Sequence, residues 1–126
     1  MRGSRRRGFT LLELLVVMAI IATLLTIAVP RYFRTLDRSR EVVLRQDLVT
    51  MRETIDKYYG DKGKYPENLA DLVDGHYLRA IPVDPITKAA DRWVIVRADD
   101  PDDTGIKDVH SGAEGKGENG SPYASW

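Results

Sequence analysis

The chain has 126 residues, with 19 Lys and Arg against 19 Asp and Glu and no Cys. That length suits one small domain, and the missing Cys excludes a disulfide-stapled or Cys-ligated zinc module. Zero formal charge and a pI near 6.7 argue against nucleic acid as a partner, which calls for a basic face. The charge is uneven, because Arg2, Arg5, Arg6 and Arg7 lie in the first eight residues; a product lacking them keeps 15 basic groups against 19 acidic ones.

From Phe9 to Val29 run 21 residues with a single charge, Glu13. As a helix they rise roughly 30 Å, the thickness of a bilayer's hydrocarbon core. The segment reads as a membrane span. The four leading arginines place the N-terminus in the cytoplasm and the remaining chain on the far side, which is the periplasm in a bacterium. A secretory signal peptide would have a shorter apolar stretch and small residues at a cleavage site, whereas this one runs through Pro30 into a helical pattern. A carboxylate within such a span costs roughly 2.5–3.5 kcal/mol and marks function. Its own segment offers Glu13 no cation. It can snorkel to the headgroups, about one turn away, or meet the α-amine of another copy, freed if the chain is cut before Phe9.

Pro30 kinks or loosens a helix without having to end it. Leu36, Val43, Leu44, Leu48, Met51, Ile55 and Tyr58 then mark one helical face, opposite Arg38, Glu41, Arg45, Asp47, Arg52, Glu53, Asp56 and Lys57, which read as a solvated face. The spacing predicts a helix from Phe9 to about Tyr59, a rod of roughly 75 Å, stopped by Gly60 and Gly63. A short helix is expected from Pro66 to Val73, and a hairpin of Trp93–Arg97 with Gly105–Val109 across the acidic loop 99–104. The Gly-rich tail ends in Tyr123 and Trp126, which predicts that it folds back onto the sheet. Residues 60–126 hold too few large apolar side chains for a core of their own, so they must use the helix stripe. The expected class is α+β, a long helix carrying a small antiparallel sheet.

Chemistry-bearing patterns are sparse. The run Asp100 to Gly105 echoes an EF-hand loop but lacks a Glu at its twelfth position, Ser111, and lacks flanking helices. His76 and His110 have no Cys to join them in a zinc site. Asp108, His110 and Ser111 are triad residue types, but neighbours on a strand point to opposite faces. The aromatic residues suit a small core. No enzyme is expected.

The run Arg5-Arg6-Arg7-Gly8-Phe9-Thr10-Leu11-Leu12-Glu13 resembles the class III leader of type IV pilins and type II secretion pseudopilins. The head resembles the G-type major pseudopilins through Tyr58-Tyr59, Gly63 to Pro66, Leu69 to Val73, Pro82 to Pro85, Trp93 and the stretch from Asp108 to Trp126. That resemblance implies cleavage between Gly8 and Phe9 by a prepilin peptidase, N-methylation of Phe9, and polymerisation. It divides the chain into a leader (1–8), a span that becomes filament core (9–30) and a periplasmic head (31–126), the head comprising an amphipathic helix (31–59) and an α/β region (60–126). Glu13 and Pro30 become assembly residues. Implied partners are other copies of the chain, the peptidase, minor pseudopilins, and an inner-membrane assembly platform with its ATPase. G-type relatives bind calcium in the C-terminal loop. Here Glu114 stands where they usually have Asp, and the later acidic pair has no clear counterpart. The implied function is a structural filament for type II secretion of proteins. A type IV pilus subunit for adhesion, motility or DNA uptake is the alternative, and a membrane-anchored binding module that never polymerises is the reading of another class.

Overall fold

A computed structural model describes Gly8 and residues 10–126. Helix α1 covers Leu11–Lys62 and includes Pro30. The chain divides into two compact units, residues 1–37 and 38–126, which α1 enters in turn.

In the first unit every large apolar side chain from Leu11 to Val29 is exposed, between 42% and 76%. The hydroxyls of Thr23 and Thr26 donate to the carbonyls of Ala19 and Ala22 at 2.8 Å. These hydroxyls are thus satisfied within the helix, and among the described residues the apolar surface of this stretch is left uncovered, as lipid or other helices require.

The second unit holds the core. Leu44, Leu48, Met51 and Ile55 of α1 are buried at the expected spacing and meet Leu69, Leu72, Trp93, Ile106, Val109 and Trp126. Val43, expected on this face, is 48% exposed, because one residue's 100° rotation from Leu44 carries it off the stripe. The helix ends at Lys62 rather than near Tyr59. Gly60 is tolerated within it, and the stop comes at Gly63, whose φ of +72° suits glycine and whose N–H donates to Tyr59 O at 2.8 Å.

Helix α2, Leu69–Asp74, starts three residues later than Pro66, because Asp71 Oδ2 accepts the N–H groups of Glu67 and Asn68 and so sets the first turn. Strands β1 (Val94–Arg97) and β2 (Ile106–His110) pair antiparallel, with Val94 opposite His110, Ile95 opposite Val109 and Val96 opposite Asp108. This is the expected hairpin, with the first strand starting one residue later and the second shifted by one. Its acidic loop is a tight turn in which Asp100 accepts Asp102 N–H, while Asp103 accepts the N–H groups of Gly105 and Tyr65. Past β2 the backbone runs so near Arg92 that a Cβ on Gly112 would lie 1.9 Å from its carbonyl oxygen. Fully buried Asp84 is satisfied by Ser111 Oγ at 2.6 Å and by the N–H groups of Ile86 and Thr87.

Candidate processing and assembly site

Among the described residues nothing lies within 4 Å of where a Cβ on Gly8 would stand. Phe9 and the leader arginines lie outside the described residues. Thr10 Oγ1 accepts Glu13 N–H at 3.0 Å, and Glu13 Oε2 lies 3.4 Å from Thr10 N. The two residues cap the start of α1 reciprocally, a capping box written in the sequence as Thr-x-x-Glu. Glu13 thus has a partner in its own chain, one that a search for cations overlooks. The contact is exposed and at the long end for a hydrogen bond, so the carboxylate can exchange it for a cation.

A few residues on, Val16, Ala19, Ile20, Thr23 and Leu24 line a shallow apolar groove. The small side chains of Ala19 and Thr23 stand four residues apart, where a second helix can approach closely. The Thr26 carbonyl faces the position where Pro30 has no N–H to give, which leaves the helical ladder one bond short at that turn.

Of the face expected to be solvated, Glu53, Asp56 and Lys57 are exposed, while Arg38, Glu41, Arg45 and Arg52 meet the tail and β2. The Arg38 guanidinium grips both carboxylate oxygens of Glu118, at 2.9 and 3.1 Å from Nε, and this pairing raises the pKa of Arg38. Glu41 Oε1 accepts Glu118 N–H and the Tyr123 hydroxyl. Arg45 sits 3.8 Å from the centre of the Trp126 ring. Arg52 donates to Asp108 Oδ1, Val109 O and Trp126 O at 2.8, 2.9 and 2.6 Å. The tail therefore packs on the helix as well as on β2, where His110 Nδ1 donates to Trp126 O at 2.6 Å. Asp47, on the same helix, has its pKa raised by burial and then by the nearby Asp84 carboxylate. Periodicity could not foretell these partners, which lie 56 to 82 residues away.

Asp108 and His110, two apart on β2, share a face, with His110 Nε2 3.6 Å from Asp108 Oδ2. Ser111 turns to Asp84, so the three form no triad. Glu114 is exposed, and Glu118 is held by Arg38. Among the described residues no three His, Asp or Glu side chains gather where they could hold a metal ion.

A long N-terminal helix, apolar and then amphipathic, followed along the chain by a small antiparallel sheet, is the pilin-like α+β fold. The prokaryotic N-terminal methylation motif matches residues 3–29. The type II secretion system core protein G of Klebsiella pneumoniae is 32% identical over 65% of this chain and 70% of that protein, and that of Pectobacterium carotovorum is 28% identical over 90% and 73%. This chain belongs to the type II secretion core protein G family. The type IV major pilin PilA of Myxococcus xanthus is 33% identical over 52% of this chain and 30% of that protein. No solved structure gives a significant match.

Proposed function

We propose that the chain is the major pseudopilin of a type II secretion apparatus, a structural subunit with no catalytic role. It waits in the bacterial inner membrane with its N-terminus cytoplasmic and its head periplasmic. A prepilin peptidase cuts between Gly8 and Phe9 and methylates the new Phe9 amine. An ATPase-driven platform, together with minor pseudopilins, then adds the subunit to a helical filament that moves substrate proteins outward. The observation that carries this reading is the apolar surface from Leu11 to Val29, exposed on every side and broken by one carboxylate five residues past Gly8. Lipid and neighbouring helices satisfy that surface equally well, so a subunit can pass from one to the other at low cost. The groove at Ala19 and Thr23 suits a neighbouring helix.

Glu13 selects register in this scheme. It leaves Thr10 N–H for the α-amine of Phe9 on an adjacent subunit, and a subunit lacking that partner is penalised by roughly 3–5 kcal/mol. Pro30 loosens the turn from Thr26 once subunits pack. Mass spectrometry of the N-terminus tests the processing step. Mature protein should begin at methylated Phe9, and Gly8→Ala should accumulate as membrane-bound precursor; a mature chain beginning elsewhere overturns the assignment. Electron microscopy of the purified protein tests polymerisation, since fibres exclude a monomeric binding module. The pilus alternative draws on the likeness to PilA, which reaches about half of this chain. Core protein G likeness extends over 90% of it and favours secretion.

A further inference from the structure

We propose that Arg31, Tyr32, Phe33 and Arg34 form an anchor that fixes the far boundary of the membrane span, the two guanidiniums taking the phosphates of anionic lipid headgroups. The inference rests on the membrane-span part of the function proposed above. Nineteen helical residues from Leu11 to Val29 rise about 28 Å, close to the hydrocarbon thickness, so the next turn of α1 lies at headgroup depth. That turn is Arg-aromatic-aromatic-Arg. All four residues are exposed, Tyr32 at 63% and Phe33 at 58%, and their rings meet edge-on with centroids 5.9 Å apart.

Each part suits the interface. Tyr and Phe place ring faces against the acyl boundary, and the Tyr hydroxyl reaches water. Arg31 and Arg34, three apart, project to one side of the helix, with apolar stems that can lie along lipid while the guanidiniums reach the phosphates. The planar guanidinium fork matches a phosphate bidentately, and both cationic positions here are Arg. Thr35 Oγ1 donates to Arg31 O at 3.0 Å, which keeps the polar groups of this turn satisfied at the edge of the apolar layer. Residues 9–30 contain no Lys or Arg. Once the leader with Arg2, Arg5, Arg6 and Arg7 is gone, Arg31 is the first cationic side chain of the remaining chain. Electrostatic retention therefore passes from the cytoplasmic leaflet to the opposite one, and the anchor is what a filament-building machine has to detach.

The absence of Cys permits clean site labelling. Nitroxides on Ala19→Cys, near mid-span, and on Ala28→Cys, near the boundary, report depth in the full chain reconstituted in phosphatidylcholine vesicles with or without phosphatidylglycerol. With phosphatidylglycerol the Ala28 label should lie just beneath the headgroups. Arg31→Gln with Arg34→Gln should displace it by about one helical turn, ~5 Å, and abolish the difference between the two lipids. Tyr32→Ala with Phe33→Ala should displace the label in both lipids, because the rings need no lipid charge. An Ala19 label shielded from water-soluble relaxant, together with an Ala28 depth unmoved by lipid charge or by the double Gln variant, overturns the anchor alone. An Ala19 label open to that relaxant in every vesicle overturns the span itself.

Discussion

Arg52 joins three parts of the head through one guanidinium, so its loss should be felt well beyond a surface charge. Arg52→Met keeps most of the stem's packing but removes the donors to Asp108, Val109 O and Trp126 O. An exposed ion pair contributes about 0–1 kcal/mol, while breaking a buried one costs about 3–5. Here the two side chains are 34% and 33% exposed, which places the cost between those limits at about 2 kcal/mol. His110 still donates to Trp126 O, which limits the loss. At 4–8 °C per kcal/mol for a domain of this size, the melting temperature should fall by about 10 °C. Thermal unfolding of the full chain in detergent, followed by tryptophan fluorescence, measures it. Arg52→Lys should recover part of the loss, since it keeps the charge and not the fork. A double-mutant cycle with Asp108→Asn should give a coupling of about 1 kcal/mol. If Arg52→Met melts within about 2 °C of the parent, the tail is held by its apolar contacts alone and the reasoning fails.

Glu13→Gln should insert and be cleaved normally yet assemble slowly, and Glu13→Leu should insert more readily and assemble no better; filament growth at the parent rate in either variant, followed by electron microscopy, contradicts the charge-pair role. Asp47 binds its proton more tightly in the folded state than in the unfolded one, so stability falls as pH rises from below 3.8 through its raised pKa and stays lowered above it. Asp47→Asn should therefore melt higher than the parent at pH 7, with the gap closing below that window, and a lower melting point at pH 7 refutes it. Because Glu118 is held by Arg38 and Glu114 stands exposed, a chelator should leave the melting temperature unchanged; a rise on adding calcium would show that the tail rearranges around the ion.

What sequence made legible was local. The stripe Leu44, Leu48, Met51, Ile55 emerged because a helix repeats its face every three to four residues, and the hairpin emerged from β-branched runs flanking an acidic turn. Boundaries moved where a single side chain or φ angle decides them, as at Asp71 and Gly63. The charged face of α1 was legible only in part: Glu53, Asp56 and Lys57 are exposed, whereas Arg38, Glu41, Arg45 and Arg52 find partners in the tail and β2, and a charge row destined for solvent has the same pattern as one destined for distant carbonyls. The Thr10–Glu13 cap is different. Its Thr-x-x-Glu signal is written in the sequence, and one carboxylate can serve both as a helix-start cap and as the lone charge of an apolar span.

The return of Trp126 to the helix also sets a timetable. Arg52 and Trp126 meet across 74 residues, and Glu41 and Tyr123 across 82, so neither contact can form until nearly the whole head has emerged. The helical stripe of a half-delivered chain has only part of its cover, and loops of that length close late. The hairpin, whose strands lie close in sequence, can pair early, and the contacts that Tyr123 and Trp126 make with α1 would close the head last.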